Sequence, residues 1–234
     1  MSDYTPQQEM ALLCRILGRQ GYQDKITGHI TIAQGGGETL WVSPVDRFWH
    51  EVRARDVIRI DDSGTVLEGG GKLNPTALSH FALHRRRPDA HVVIHNHPPY
   101  GTIWSAKCEL PPLLDQSSAN GGGKAALCSE YDGVLSSTDR FDRLALAYGD
   151  ADMAILANHG TMVSGEDVPL ALVRALSFEW RCRKAYEVSC TGSKGVELSE
   201  EVAKELGTYA SEYGVVLFDA YGRIEIDLDP AVLL

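Results

Sequence analysis

The stretch His91-Val92-Val93-Ile94-His95-Asn96-His97-Pro98-Pro99-Tyr100 joins an apolar run to two histidines at alternate positions. Its β-branched centre favours a strand, and the paired prolines predict that the strand ends there. Since side chains two residues apart point to the same side of a strand, His95 and His97 aim their imidazoles together. Two neutral imidazoles placed in this way are a common pair of ligands for a divalent cation, although polar residues at a strand end can show the same pattern.

A third ligand is expected from another strand that ends nearby. The apolar run Met153–Ala157 predicts a buried strand, and it leads directly into Asn158-His159-Gly160. Gly160 has no side chain and so permits a close approach of backbone. We therefore predict that His95, His97 and His159 bind one divalent cation and leave a coordination position open, as in catalytic sites. Imidazole ligands suit zinc, manganese, iron or cobalt.

Before and after these motifs in the sequence, patterns typical of helices and of strands alternate. Thr5, Pro6 and Gln8 form the cap of a first helix. Two hairpins are predicted, from 25–33 with 39–43 and from 57–60 with 65–67. Further helices are predicted at 76–86, 138–148, 168–189 and 199–213, and 108–136 is predicted to be a surface loop. No internal repeat or linker divides residues 1–234, which favours one α/β domain.

Composition excludes several classes of function. The formal net charge is −10, whereas nucleic acids and anionic membranes require clustered cations, so neither is an expected partner. No run approaches the roughly 20 apolar residues of a membrane span, and the first residues do not resemble a signal peptide. The five cysteines are scattered without a pairing motif. We expect free thiols and a cytoplasmic location.

The motifs as a set resemble the class II aldolase/adducin family over residues 8 to 185, approximately. They are Gly28-His29-Ile30-Thr31, Ser43-Pro44, Asn74-Pro75-Thr76 with His80 and His84, Arg87-Pro88-Asp89, His95-Asn96-His97 and Asn158-His159-Gly160. The resemblance implies a central, mostly antiparallel β-sheet flanked by α-helices in three layers, here with a helical C-terminal extension. It also implies zinc or manganese on the three histidines, and a homotetramer with sites near the subunit interfaces.

Departures from the family pattern bear on the substrate. Sugar-phosphate aldolases of the family have a glutamate, as metal ligand and acid/base, at the position that aligns with Thr76. Their phosphate-binding positions read here as His29, 43–46 and 74–75, and Asp46 would repel a phosphate. The Gly28-His29 pair is similar instead to members that decarboxylate or oxygenate hydroxylated aromatic or dienoic carboxylates.

The favoured function is therefore a metal-dependent decarboxylase of such a small-molecule carboxylate. An aldolase that cleaves a hydroxy-keto substrate, an oxygenase and a non-enzymatic, adducin-like oligomerisation domain remain the alternatives. His80 lies one helical turn after Thr76, and we predict that it is the acid/base or binds the substrate carboxylate. The alternative is a buried helical histidine.

Other candidates are placed by the motifs. Tyr100 is a predicted proton donor or stacking residue, with packing as the alternative. His29, Ser43 and Thr76 are predicted to contact the substrate, while Tyr131 is expected to pack. Three acidic residues of the long loop are candidates to reach a neighbouring subunit's site: Asp115, Glu130 and Asp132.

Overall fold

A computed structural model describes residues 4–22, 25–131, 133 and 137–234, so Asp132 lies outside the described residues. Within this part of the chain, eight strands form one sheet in the order β4-β3-β2-β1-β5-β8-β7-β6. The strands are β1 (His29–Gln34), β2 (Thr39–Val42), β3 (Ile58–Ile60), β4 (Val66–Glu68), β5 (Val92–Asn96), β6 (Ala125–Cys128), β7 (Met153–Leu156) and β8 (Gly160–Gly165). The β6–β7 pair is parallel and the other pairs are antiparallel.

The helices are α1 (Pro6–Arg19), α2 (Ser79–Arg86), α3 (Pro99–Lys107), α4 (Gln116–Ala119), α5 (Thr138–Tyr148), α6 (Val168–Ser189), α7 (Glu200–Gly207) and α8 (Ala210–Leu228). A 3₁₀ turn, Pro75–Leu78, leads into α2. In the described residues, no helix is both long and apolar enough to cross a membrane.

The sheet lies between two layers of helices, as the resemblance implied. Ile30 and Ile94 point to one face and pack in the main core with α1 and α6. Alternate residues point to the other face, where Val93 packs in a second core with α2 and α5. Because side chains alternate along a strand, His29 and His95 share this second face with Val93. The strands β1 and β5 thus present His29 and His95 toward α2.

Several predicted elements are confirmed. Thr5 and Gln8 form the capping box of α1, and both predicted hairpins are present. Two predictions were wrong. The segment 108–136 contains α4 and β6, and the C-terminal region forms two helices, α7 and α8, where one helix and a short tail were expected. The strand β8, which begins at Gly160, was not predicted.

Glu179 of α6 holds the start of α3, the helix that follows β5 and His97. Its carboxylate oxygens accept hydrogen bonds from the backbone N–H groups of Tyr100 (2.7 Å) and Gly101 (2.8 Å). These N–H groups belong to the first turn of α3, where no partner within the helix exists. The residue before α3 is Pro98, which follows His97 directly, so this contact anchors the chain just after the predicted ligands. Burial, the largest cause, raises the pKa of Glu179 to about 7.

We predict that Glu179→Gln lowers the free energy of unfolding at neutral pH by about 1–3 kcal/mol, because one of the two backbone donors loses its acceptor. The raised pKa also implies that the folded state binds this proton more tightly than the unfolded state. Relative to the variant, the wild type should therefore lose stability as the pH rises from about 4.5 to 7.

Urea titrations across this pH range would measure both effects. The matched control is Glu187→Gln on the same helix, where a more exposed carboxylate pairs with Arg183 and Lys184. This substitution should lower the free energy of unfolding by less than about 1 kcal/mol. Equal losses in the two variants would contradict the anchoring role of Glu179.

Candidate metal centre

Three imidazoles converge at one edge of the sheet. The ring centroids of His95 and His97 lie 5.2 Å apart, and that of His159 lies 4.7 Å and 5.0 Å from them. One ligand nitrogen from each ring lies within 4.8 Å of the others. Ligand nitrogens sit about 2.1 Å from a bound cation, so small ring rotations bring these three into a coordination sphere. The predicted set of ligands is thus brought together.

The backbone fixes which nitrogen of His95 faces the other two rings. Its Nδ1 lies 2.9 Å from the carbonyl oxygen of Thr161 on β8. A carbonyl can only accept, so Nδ1 carries the proton and Nε2 keeps its lone pair. Metal-binding histidines are commonly oriented by such a backbone acceptor.

His159 is held by the turn between β7 and β8. Asn158 adopts a left-handed conformation, with φ of 53°, which asparagine tolerates better than most residues. The hydroxyl of Ser105 on α3 accepts a hydrogen bond from the backbone N–H of His159 at 2.7 Å and donates to the carbonyl of Leu156 at 2.6 Å. Since the turn is tied to α3, the position of His159 depends on packing outside the sheet.

Burial keeps the imidazoles of His95 and His159 neutral. It is the largest cause that lowers the pKa of His159 to about 4 and that of His95 well below its ordinary value. Neutral imidazole is the form that binds a cation, because the lone pair is then available.

A fourth histidine faces the ligands. His29 pairs directly with His95 across β1 and β5, and their ring centroids lie 4.9 Å apart. Neither nitrogen of His29 makes a hydrogen bond of good geometry, although the Thr27 backbone lies close enough to the ring to raise its pKa slightly. Burial, as the main cause, lowers the pKa of His29 to about 3. The ring is therefore a neutral polar group aimed at the site.

The three ligands and His29 line a cavity of about 230 Å³. Its other described lining residues are Thr27, Asn74, Thr76, Tyr131 and Gly133. The Thr76 hydroxyl donates to Oδ1 of Asn74 at 2.8 Å, which leaves its oxygen able to accept. None of the described lining residues is a carboxylate or a lysine or arginine.

Three other predicted site residues lie outside the described lining. His80 is fully buried behind His29, with 4.6 Å between ring centroids. Ser43 is buried, and its hydroxyl accepts from the backbone N–H of Ile30. Tyr100 packs near Tyr186 on α6. Their predicted roles in catalysis or substrate binding stay predictions.

Sequence reasoning missed the position of Tyr131. It was expected to pack, yet the residue is 49% exposed, and its ring centroid lies 5.7 Å from that of His159. Asn74 and Thr27 were also missed as cavity residues. Asn74 belongs to the Asn74-Pro75-Thr76 motif, which was a usable signal, while Tyr131 sits in a loop whose path no local pattern predicts.

Comparison with known proteins identifies the family. The profile described as Class II Aldolase and Adducin N-terminal domain matches residues 8–186. The chain belongs to the class II aldolase/adducin family. Its sequence is 29% identical over 201 residues to decarboxylase NovR of Streptomyces niveus, covering 84% of this chain and 74% of that protein.

Two further class II aldolase/adducin relatives differ in named activity. The chain is 31% identical over 165 residues to 4-hydroxy-3-prenylphenylpyruvate oxygenase/4-hydroxy-3-prenylbenzoate synthase of Streptomyces roseochromogenus subsp. oscitans, covering 69% of this chain and 60% of that protein. The structure of L-fuculose 1-phosphate aldolase from Glaciozyma antarctica PI12 matches with a TM-score of 0.82 at 23% identity, over 96% of this chain and 89% of that chain. At this identity the likeness shows the shared fold.

Gly160 allows His97 to approach His159. A Cβ atom at this position would lie 2.6 Å from Cδ2 of His97 and 2.5 Å from the carbonyl oxygen of Asn96. We predict that Gly160→Ala displaces the His97 ring and weakens zinc binding about tenfold or more. Calorimetric titration of zinc into metal-free protein would measure the loss.

Gly222→Ala is the matched control, since a Cβ at this helical position has no neighbour closer than 3.9 Å. It should bind zinc as the wild type does. Unchanged affinity in both variants would show that the close approach at Gly160 has no part in metal binding.

Proposed function

We propose that the protein is a metal-dependent lyase, and more specifically a decarboxylase of a hydroxylated aromatic or dienoic carboxylate. One observation carries the choice of decarboxylation: the cavity beside the three histidines has no carboxylate among its described lining residues, and Thr76 lies in its wall. The family resemblance puts the acid/base glutamate of sugar-phosphate aldolases at this position.

The two reactions make different demands on such a cavity. Aldol cleavage begins when a base removes a proton from the substrate hydroxyl, which is the task of that glutamate. Decarboxylation breaks the bond between the carboxylate and its neighbouring carbon. The electron pair of that bond stays on the carbon, carbon dioxide leaves, and a proton takes its place. A cavity whose described lining residues include no carboxylate base suits the second reaction better.

The chain's own residues supply binding and proton transfer. Among the imidazoles of the described cavity wall, that of His29 is not one of the three predicted ligands. It can take the proton of a substrate hydroxyl and return it to the carbon that loses carbon dioxide. The oxygen of Thr76 can accept a hydrogen bond from the substrate. A divalent cation on the three histidines would supply Lewis-acid stabilisation of the charge that develops on substrate oxygens.

Positive charge near the cavity supports an anionic substrate. A smaller adjoining cavity, of about 60 Å³, shares Tyr131, Gly133 and His159 with the first and is also lined by Arg140 and Arg143. Glu130 lines this smaller cavity as well, so its three charged side chains carry a net charge of about +1, which favours a carboxylate-bearing ligand. Tyr131 lies where the two cavities meet, so its ring can stack on an aromatic substrate.

An adducin-like scaffold is the rival from a different class. A protein that only assembles does not need three imidazoles brought together, whereas here His95 is fixed by strand pairing and His159 by a tied turn. The homotetramer, the cytoplasmic location and the choice of zinc or manganese stay predictions.

The proposal is tested with purified protein reconstituted with zinc or manganese. We expect carbon dioxide release from ortho-hydroxylated aromatic or dienoic carboxylates, and no aldehyde product. His97→Ala should lose both bound metal, measured by elemental analysis, and carbon dioxide release. His91→Ala is the control, because His91 is exposed before the same strand, and it should retain both.

Two results would contradict the proposal. Cleavage of a hydroxy-keto substrate to an aldehyde, without carbon dioxide release, would favour the aldolase. A wild-type protein that binds less than a small fraction of an equivalent of metal would favour the scaffold.

A further inference from the structure

A row of buried polar groups runs from the metal site to the far end of α2. The ring of His29 faces that of His80 at 4.6 Å between centroids. Nδ1 of His80 lies 2.8 Å from the Thr31 hydroxyl, which lies 2.9 Å from Nε2 of His84. Nδ1 of His84 then lies 2.7 Å from the carbonyl oxygen of Ala90. His80, Thr31 and His84 are at most 3% exposed, so water does not compete for these bonds.

The direction of each hydrogen bond follows from the carbonyl at the end. The Ala90 oxygen can only accept, so Nδ1 of His84 carries a proton. Burial lowers the pKa of His84 to about 4, so the ring is neutral and its Nε2 is a bare acceptor. The hydroxyl of Thr31 must then donate its single proton to His84.

The same reasoning fixes the tautomer of His80. Since the Thr31 proton is committed to His84, the Thr31 oxygen can only accept from His80, and Nδ1 of His80 must carry a proton. Nε2 of the neutral ring is therefore a bare acceptor. This atom is fully buried, has no hydrogen-bond partner in the protein and belongs to the ring that faces His29.

We propose that Thr31 and His84 are positioning residues, which fix His80 as an acceptor behind His29 and thereby orient His29 for the substrate. The His29 ring has no well-formed hydrogen bond to lose, so a small rotation lets one of its nitrogens donate to Nε2 of His80. The other nitrogen then presents a lone pair to the cavity. This orientation selects a substrate that carries a hydroxyl donor beside its metal-binding group.

The inference rests on the proposed function for its catalytic consequence but not for the hydrogen-bond chain itself. This series of hydrogen bonds exists in the folded protein without substrate. The catalytic consequence is that loss of the Thr31 hydroxyl should slow turnover while the three metal ligands stay in place. His29 and His80 lie between Thr31 and those ligands.

The test compares Thr31→Val, which removes the hydroxyl at nearly constant shape, with Thr31→Ser, which keeps it. Solid-state ¹⁵N NMR of histidine-labelled, zinc-loaded protein distinguishes protonated from bare ring nitrogens. In the wild type and Thr31→Ser, His80 and His84 should both carry the proton on Nδ1. In Thr31→Val, His84 should keep this tautomer because Ala90 still accepts, whereas His80 should populate both.

Turnover supplies the second measurement. Thr31→Val should lower kcat for carbon dioxide release by about 10-fold to 100-fold with unchanged metal content, and Thr31→Ser should restore it. A wild-type His80 with its proton on Nε2, or a Thr31→Val enzyme of normal kcat, would overturn the proposal. Absence of turnover in the wild type would count against the proposed function alone, since the NMR result needs no substrate.

Discussion

The pairing of β5 with β1 on one side and β8 on the other is the constraint on which the site depends. It places His29 directly opposite His95 and brings the carbonyl of Thr161 within reach of the His95 ring. A shift of one residue in either register would turn these side chains to the opposite face of the sheet. Register is well specified here because both faces of the sheet are covered by apolar cores.

The same strand pairing gives the two faces of the sheet different chemistry, one apolar and one rich in histidine. Residues that alternate with His29 and His95, such as Ile30 and Ile94, pack under α1 and α6 in the main hydrophobic core. On the opposite face, His29, Thr31 and His95 of the sheet meet His80 and His84 of α2. Buried polar groups are costly unless they find partners. The Ala90 carbonyl and the Thr31 hydroxyl accept or donate most of the hydrogen bonds of His80 and His84. The nitrogens left without partners belong to His29, which lines the cavity, and to His80 behind it.

Sequence alone predicted the parts of the structure that depend on local pattern. The alternation in β5 indicated that His95 and His97 point together, and Thr5 and Gln8 indicated the start of α1. The strand β6 was missed because its flanks are rich in glycine and proline, and its pairing with β7 is a contact between distant segments. The break between α7 and α8 coincides with Gly207, which packs against the backbone of Gly122, and no local signal reveals such a contact.

The residues of the site also divide into those that a local pattern predicts and those that it does not. The three ligands could be predicted because each lies at the end of a strand, whereas Tyr131 could not, because a loop brings it to the cavity. The most direct measurement is anomalous diffraction from crystals of zinc-loaded protein. We expect one peak, about 2.1 Å from Nε2 of His95 and from one nitrogen each of His97 and His159. A zinc peak elsewhere, or one bound through Nδ1 of His95, would contradict the metal centre described here.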